Sequence, residues 1–305
     1  MDMTCDKFDR QIGNYHSEPV EDAAKRNVKS FLDACHRGDL EVFQQAVQIV
    51  GLDQDGNRVL DVPQLSKAIQ RGCDTAVIHK HADILNELFQ HHGAKVTEYM
   101  FLCARGKLHV PTFEVLLRHG MDPNMTFGAS ETALLLSIHD EPLVRLLLSY
   151  GASAAIAPPY GSQYDMQTPW PKRPLDLAAR SSIEVFDLLL AHGAKIDENL
   201  PLHGAVWGDT DDTGERIPMM QHILDLRVDI NQLDEARSMR ARGTALHHAV
   251  ILKRSKTVEF LLQHGADARV ESEWCLHTKH KSTALQLAED STPKIQILMR
   301  DCAQP

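Results

Sequence analysis

Histidine, which can bind a metal or transfer a proton, is abundant in this chain, with 17 copies among 305 residues. Neutral imidazole is a common metal ligand, and its charge changes near neutral pH. Four histidines, however, share one position, directly before a glycine that ends a leucine-rich segment: His92, His119, His192 and His264. A residue type that recurs at one position of a repeated segment indicates a structural role, so we do not expect these four to be ligands.

The segment Cys275–His280 is a histidine-containing cluster that does not recur. Cysteine and histidine at this spacing can coordinate zinc, and Glu273 lies close by in the sequence. A fourth ligand is not evident, and the positive charge of Lys279 would repel a cation. The sequence therefore predicts that this cluster does not hold zinc.

Two acidic segments could bind calcium instead. Residues Asp53–Gln64 resemble an EF-hand loop, with oxygen donors at positions 1, 3, 5 and 9. Arg58 stands where that loop needs glycine and Gln64 where it needs a bidentate glutamate, so a turn explains the Asp, Asn and Gly residues equally well. The segment Asp209–Glu215 also lacks an acid at the twelfth position. We expect neither a metal nor a cofactor.

The elements that must position these residues are repeated along the chain. A leucine-rich segment closed by glycine recurs, with one copy that lacks the glycine; the copies end at Gly93, Gly120, Gly151, Gly193, Arg227 and Gly265. A start unit, Phe31–Gly38 followed by Leu40–Val50, precedes them. None of these short segments can bury its apolar face alone, so self-similarity at this scale predicts stacked supersecondary units.

A second phrase lies between the glycines and resembles the ankyrin signature Thr-Pro-Leu-His-x-Ala-Ala. It reads Arg173–Ala179, Leu200–Val206 and Thr244–Val250, and in part Thr132–Leu135 and Thr283–Ala288. Threonine caps the first helix of a unit, proline fits its first turn, and small residues let neighbouring helices approach closely. The leucine-rich second helix buries its apolar stripe and ends in a glycine with left-handed backbone. The chain thus resembles the ankyrin repeat family.

This resemblance implies an all-α ankyrin-repeat solenoid, in which helix-turn-helix units carry hairpin fingers. It covers residues 27–305 as a single domain of about seven repeats plus an N-terminal cap, and the polar residues 1–26 are expected to form a mobile tail. In this family the signature histidine, here His203 and His247, bonds the backbone between fingers. The family's usual function, which we expect here, is non-enzymatic binding of another protein or peptide.

Composition excludes several other classes of protein. A hydrophobic fraction of 43% fits a globular chain, and a formal net charge of −10 argues against a nucleic-acid partner, which needs clustered Lys and Arg. No apolar run approaches the ~18 residues of a membrane span, and the N-terminus does not resemble a secretory signal, so we expect no membrane insertion. Cys35 and Cys103 stand where the signature has alanine and are interpreted as packed thiols of a cytoplasmic or nuclear protein.

The lengths of the fingers depart from the family pattern. From the closing residue to the signature leucine, an ordinary finger spans 14 residues, as from Gly120 to Leu134. The next spans are 24 residues from Gly151 to Leu175, 9 from Gly193 to Leu202, 19 from Arg227 to Leu246 and 20 from Gly265 to Leu285. A clipped finger between longer ones leaves a gap, called here the notch, above the repeat that begins at Ala194.

The sequences that flank the notch are rich in aromatic and cationic side chains, which are costly on loops unless they bury against something. The candidate binding residues are Tyr160, Tyr164, Trp170, Arg173, Glu198, His203, Arg240, Arg242, His248, Trp274 and His277. Trp, Tyr and Arg are the usual anchors of protein interfaces. Alternatively, each tryptophan packs on its own insertion and contacts no partner.

Three functions remain open at this point. The leading one is a scaffold that presents its fingers and inner helices to a protein or peptide. The second is a small-molecule or catalytic pocket over the clipped finger near residues 194–203, with His203, Glu198 or His248 as the reacting groups. The third is a structural spacer, which the aromatic insertions disfavour. If the notch is not the binding site, the inner helices around Glu131, Asp176 and His248 are the alternative.

Two asparagines match a modification site of the family. Asn124 and Asn231 occupy the finger position that asparaginyl hydroxylases modify in ankyrin repeats. Asparagine is also common in turns, and we expect each side chain to bond its own hairpin instead.

Overall fold

The computed structural model describes residues 22–53, 55–105, 109–127, 131–155, 173–234, 243–275 and 278–303. Contacts between residues group the chain into two compact units, which comprise residues 1–121 (unit 1) and 122–305 (unit 2). The sequence predicts one domain over residues 27–305, and this stays a prediction. Each repeat of a solenoid contacts mainly its neighbours, so a grouping by contacts does not decide between one domain and two.

Unit 1 consists of helices in consecutive pairs. They are α1 (Asp22–Arg37), α2 (Leu40–Ile49), α3 (Val62–Ile78), α4 (Ala82–His91), α5 (Glu98–Arg105) and α6 (Val110–Arg118). The first helix of each pair packs on the first helix of the next, and α2 and α4 pack on α4 and α6 respectively. This is the stacking of antiparallel units that the repeated sequence predicts.

Helix α1 begins five residues earlier than the tail boundary expected from sequence. It starts at Asp22, whose carboxylate lies in the first turn and suits the positive end of the helix dipole. Ala24 is completely buried, so the residues just before position 27 already belong to the folded unit. The polar composition of residues 1–26 concealed this turn.

The core of unit 1 is apolar and aromatic. Phe31 contacts Phe43 with ring centroids 5.9 Å apart, and Phe101 meets Phe113 edge-on at 5.5 Å. Cys35 is fully buried, and burial raises the pKa of its thiol to about 12, so it packs as a small apolar residue. Cys103 is only partly buried, contrary to the sequence-based expectation of a packed thiol.

Unit 2 alternates helix pairs with fingers. Its elements are β1 (Thr126–Phe127), β2 (Glu131–Thr132), α7 (Ala133–Leu136), α8 (Glu141–Ser149), α9 (Pro174–Ala178), α10 (Ile183–Ala191), a 3-10 turn (Ile196–Glu198), α11 (Pro201–Gly208), α12 (Ile217–Asp225), α13 (Ala245–Ile251), α14 (Ser255–Gln263), β3 (Glu271–Cys275), β4 (Thr278–Thr283), α15 (Ala284–Leu287), a second 3-10 turn (Ala288–Asp290) and α16 (Pro293–Ala303). Strands β1 and β2, and β3 and β4, form two antiparallel hairpins. The all-α class and the hairpin fingers predicted from the sequence are confirmed.

The inner helices of unit 2 pack in the order α9, α11, α13 and α15. Helices α7, α13 and α15 begin at threonines of the signature phrase, since the hydroxyls of Thr132, Thr244 and Thr283 accept hydrogen bonds from backbone N–H groups in the first turn. Gly204 lies so close to α9 that a Cβ atom there would collide with the backbone of Asp176. The close approach predicted for the small residues is therefore confirmed at this contact.

The closing residues of the repeats have the left-handed backbone expected of them. Gly193 has φ +91°, with open space around the position of a Cβ atom. In the degenerate copy, Arg227 adopts φ +62° at the same position, a conformation that side chains with a Cβ rarely adopt. The repeat geometry thus persists where its glycine is missing.

Among the described helices, none has an apolar stretch sufficient to cross a bilayer.

Candidate functional site

The clipped finger has no hairpin. After Ala194 the chain makes the single 3-10 turn Ile196–Glu198 and enters α11 at Pro201. The finger over residues 266–283 in the same unit instead carries the long hairpin of β3 and β4. The clipped finger is thus shorter than this hairpin finger, as the spacing in the sequence predicts.

The tip of the clipped finger is charged and open. Lys195, Asp197 and Glu198 are exposed, and the ammonium of Lys195 lies 2.9 Å from a carboxylate oxygen of Glu198. An exposed pair of this kind contributes little to stability because water screens it. Its charges are available to a partner that approaches from the finger side.

The clipped finger is fastened to the preceding inner helix by two residues 23 positions apart. Asn199 Oδ1 accepts a hydrogen bond from Leu175 N at 3.2 Å, and Asn199 Nδ2 donates to Lys195 O at 2.7 Å. In return, Asp176 Oδ1 accepts from Leu200 N at 2.6 Å. Each side chain satisfies backbone groups of the other's segment, so the turn is fixed relative to α9.

Asp176 is completely buried inside this arrangement. Burial is the main cause that raises the pKa of its carboxyl to about 7; the positive charge of Arg173 and the hydrogen bond from Leu200 N oppose this rise, and the neighbouring Asp234 contributes to it. A buried carboxylate is unfavourable unless it is paired and hydrogen-bonded. Asp176 therefore holds a proton at a pH where exposed carboxyls are ionised.

His203 links its helix to the next finger rather than to the notch. Its side chain is 1% exposed, and Nε2 lies 2.9 Å from Gly243 O. Because a carbonyl only accepts, Nε2 carries the proton. Burial lowers the pKa of His203 to about 4 despite this bond. His247 bonds Ser282 O in the same way at 3.3 Å, which confirms the backbone role expected for the signature histidine.

His248 contacts both His203 and Trp207. The Trp207 indole donates from Nε1 to His248 Nδ1 at 2.8 Å, so Nδ1 is an acceptor and the ring is neutral. The imidazoles of His203 and His248 meet edge-on with centroids 5.2 Å apart. Burial lowers the pKa of His248 well below its ordinary value. Both histidines are thus neutral and engaged in bonds that join α11 to its neighbours.

Trp207 belongs to this cluster but was not among the candidate residues. It is half-buried on α11, one turn after His203. Residues four positions apart lie on the same helix face, so this spacing was the available signal. Its partner His248 lies 41 positions away, and no local pattern indicates that pairing.

The remaining candidates fall into two groups. Arg173 is partly exposed at the start of α9, and Glu198 stands at the clipped tip. Trp274 lies on strand β3. Six candidates lie outside the described residues: Tyr160, Tyr164, Trp170, Arg240, Arg242 and His277. Within the described ranges, His203 and His248 belong to the buried cluster and the charge of Arg173 acts on His203, whereas the carboxylate of Glu198 pairs with Lys195.

The acidic insertion of unit 2 serves as a helix cap. Asp212 accepts from Ser255 Oγ at 2.6 Å and from Lys256 N at 3.0 Å, at the start of α14. Asp209 accepts from Thr257 Oγ1 at 2.9 Å. In unit 1, Asp53 Oδ1 accepts from the backbone of its own turn. In the part of the chain that the structure covers, no group of His, Cys, Asp and Glu is arranged to hold a metal ion.

The finger asparagines bond the following finger, not their own hairpin as expected. Asn124 Nδ2 donates to Gly151 O at 3.0 Å, and Asn124 Oδ1 accepts from Ser153 N at 2.8 Å. Asn231 Oδ1 accepts from Asp267 N at 2.8 Å. The fingers are stacked, so an amide at one tip is within reach of the next backbone.

One segment of unit 2 matches a known sequence family. The sequence profile of the Ankyrin repeat family matches residues 243–272, which include α13 and α14. Among solved structures, the chain is similar to the human ASB11 ankyrin repeat domain, with 18% identity over 90% of this chain and 98% of that domain, and a TM-score of 0.47. No curated protein sequence is significantly similar to the chain. The profile match identifies residues 243–272 as an ankyrin repeat, and the capped threonines and the histidine bonds between fingers are features that the resemblance to this family predicts.

Proposed function

We propose that unit 2 binds a protein partner on its finger side, between the insertions 154–173 and 269–281 and above His203. Ankyrin repeats mediate protein–protein interactions in general. The observation that carries the proposal is the replacement of a finger hairpin by the 3-10 turn Ile196–Glu198, in a unit that also carries the long hairpin of β3 and β4. A recess bounded by longer loops offers a partner more contact area than a level row of fingers does.

The clipped turn below the notch supports this role because hydrogen bonds hold it to its neighbours. Asn199 and Asp176 fasten the clipped turn to α9, and His203 fastens α11 to Gly243 of the next finger. A surface that is already ordered loses little conformational entropy when a partner binds. These buried residues therefore act as positioning residues for the recess, and a partner contacts the exposed residues around them.

The charges at the recess favour a mixed polar contact. Lys195, Asp197 and Glu198 offer both signs at the exposed tip, and the partly exposed Arg173 adds a guanidinium at the start of α9. Arginine binds carboxylates through two parallel hydrogen bonds. We expect the partner to present an acidic group to Arg173 and aromatic or apolar side chains to the insertions.

A catalytic or small-molecule pocket receives less support. His203 and His248 are buried and neutral, and each already uses a ring nitrogen within the protein. Glu198, the third residue of that alternative, pairs with Lys195. The groups that a hydrolytic or proton-transfer site would need are therefore occupied by bonds that stabilise the repeats.

An affinity capture from the native source tests the proposal. The bait is the full chain, compared with a variant in which residues 154–173 and 269–281 are shortened to the length of an ordinary finger. We expect the native bait to retain partners that the shortened bait loses. Single changes sharpen the result, since Trp170→Ala or Trp274→Ala should weaken binding by about 2 kcal/mol or more and leave stability nearly unchanged.

Leu102→Ala in unit 1 is the matched control, because Leu102 is a large apolar residue that is 41% exposed. It should change neither binding nor stability appreciably. Lost stability with intact binding in the tryptophan variants would contradict the proposal and identify the tryptophans as packing elements of their own loops. The inner helices around Asp176 and His248 would then be the next surface to test.

A further inference from the structure

A second surface, independent of the notch, lies on the first helix pair of unit 1. Helix α1 and the start of α2 enclose a groove with a volume of about 230 Å³. Arg26, Lys29 and Arg37 line it on the α1 side, together with Asp33. All four lie on one face, because positions 26, 29, 33 and 37 are separated by three or four residues along the helix. We call this surface the α1 groove.

The cations of the α1 groove are not used by the fold. Arg26, Lys29 and Arg37 are exposed, and within the described ranges none of them forms an ion pair. Two other exposed helical arginines are paired within their own helices, Arg118 with Glu114 and Arg145 with Glu141. Three cations against one carboxylate stand out on a chain whose net charge is −10.

Apolar side chains border the groove. Val42 forms part of its wall and is 43% exposed, and Ile49 lies on the same face of α2 two turns later with the same exposure. Ala34 forms a small, buried floor. An apolar strip beside a charged rim is the usual composition of a protein interface. The groove therefore has both the charge and the apolar edge that a peptide contact requires.

The spacing of the charges along α1 defines a pattern. Arg26 and Arg37 are 11 residues apart, which is roughly 16 Å along a helix. Asp33 lies between them and would repel a carboxylate at the centre of the groove. An occupant that fits carries acidic side chains at both ends, a basic or hydrogen-bond-donating side chain between them, and an apolar side chain facing Val42.

We propose that the α1 groove binds an acidic peptide segment of a partner protein, with two carboxylates on Arg26 and Arg37 and a donor group on Asp33. The charge complementarity identifies the partner's chemistry, and the apolar strip on α2 supplies contact area. This surface lies outside the notch, so the chain would present two docking surfaces of different chemistry.

A labelled helical peptide tests the proposal on the full chain. The peptide carries two glutamates with the 11-residue separation of Arg26 and Arg37, a lysine between them and one leucine. Fluorescence anisotropy should show saturable binding that Arg26→Glu with Arg37→Glu weakens at least about tenfold, since each ion pair becomes a repulsion. A peptide with the charges exchanged should bind at least about tenfold more weakly.

The matched control is Lys294→Glu with Arg300→Glu, which changes the net charge equally at two exposed cations of α16. It should leave peptide affinity within about twofold, because a general charge effect is weak at a distance. Equal losses in the two double variants would overturn the proposal in favour of non-specific attraction, and so would an absence of saturable binding. A rise of more than about tenfold in peptide affinity when residues 1–21 are removed would also overturn it. The occupant of the groove would then be the chain's own acidic N-terminal segment. None of these outcomes depends on the notch.

Discussion

Within each unit the inner helices pack on one another, but the side chains at these contacts differ between the two units. In unit 1, helices α1, α3 and α5 are held by buried apolar side chains such as Phe31, Cys73 and Phe101. In unit 2, helices α9, α11 and α13 also enclose Asp176 and His203, which are directional groups. Apolar contacts tolerate small shifts, whereas hydrogen bonds fix which groups face each other. Unit 2 therefore buries polar groups at a cost in stability, and their hydrogen bonds fix the positions of its fingers.

Large apolar truncations should damage both units most, because both depend on buried volume. We expect Phe31→Ala in unit 1 to lower the free energy of unfolding by about 3–5 kcal/mol and Leu189→Ala in unit 2 by about 2–5 kcal/mol. Both side chains are completely buried. Urea denaturation measures both: far-UV circular dichroism monitors the unfolding of the Phe31→Ala variant. Tryptophan fluorescence monitors that of the Leu189→Ala variant, since all three tryptophans lie in unit 2. A loss of less than about 0.5 kcal/mol for either variant would mean that its helix is not buried where the structure has it.

The protonation of Asp176 should distinguish unit 2 by its dependence on pH. Its pKa rises from the ordinary 3.8 to about 7, so the folded chain keeps a proton that the unfolded chain releases between these values. The native protein therefore loses stability as pH rises through this window, and the loss is complete above about pH 7. Asp176→Asn removes the ionisation and keeps an oxygen for Leu200 N.

We expect this variant to gain about 1–4 kcal/mol relative to the native chain at pH 8 and little at pH 4. Thermal unfolding at a series of pH values measures the difference. His203 titrates in the opposite sense, since its lowered pKa removes stability as pH falls from 6.5 towards 4, but it is present in both chains and cancels. A difference between the two chains that does not change with pH would refute the burial of an ionisable carboxyl.

Asn199 should matter more than a finger asparagine that makes a single contact. Asn199→Ala leaves Leu175 N and Lys195 O without their bonds, which we expect to cost about 1–3 kcal/mol. Asn231→Ala is the matched control, because within the described residues Asn231 gives one side-chain bond, to Asp267 N, at a part-exposed position. Its cost should be about 0.5–1 kcal/mol. Equal costs in urea denaturation would mean that the clipped finger is not specially fastened.

The smallest expected effect is a gain in stability at the degenerate repeat. Arg227 holds φ +62° where the other closing residues are glycine. Arg227→Gly relieves this strain but adds freedom to the unfolded chain, so we expect a net stabilisation of about 0.5–1 kcal/mol. Gly193→Ala at φ +91° is the reciprocal change and should destabilise. If both changes destabilise the protein, Arg227 makes a contact that outweighs its strain.

The sequence predicts the features of this fold that are local. Glycine spacing locates the left-handed helix ends, the threonines locate the caps, and the nine residues from Gly193 to Leu202 predict a finger too short for a hairpin. Each follows from a few neighbouring residues whose conformational preferences are strong.

The features that join distant residues could not be predicted in the same way. The exchange of bonds between Asp176 and Leu200, and the contact of Trp207 with His248, depend on how closely successive helices approach. The sequence also suggested a tail through residue 26, although α1 begins at Asp22, because polar residues fit an exposed helix turn as well as a coil. The division into two units follows from contacts that no local pattern reports.

Amide hydrogen exchange with the captured partner tests most directly whether a protein docks on the finger side of unit 2. We expect slowed exchange at the clipped turn around Lys195 and Glu198 and along the hairpin of β3 and β4, with exchange in α10 and α12 unchanged. Slowed exchange confined to α10 and α12, with the clipped turn and the hairpin unaffected, would contradict it.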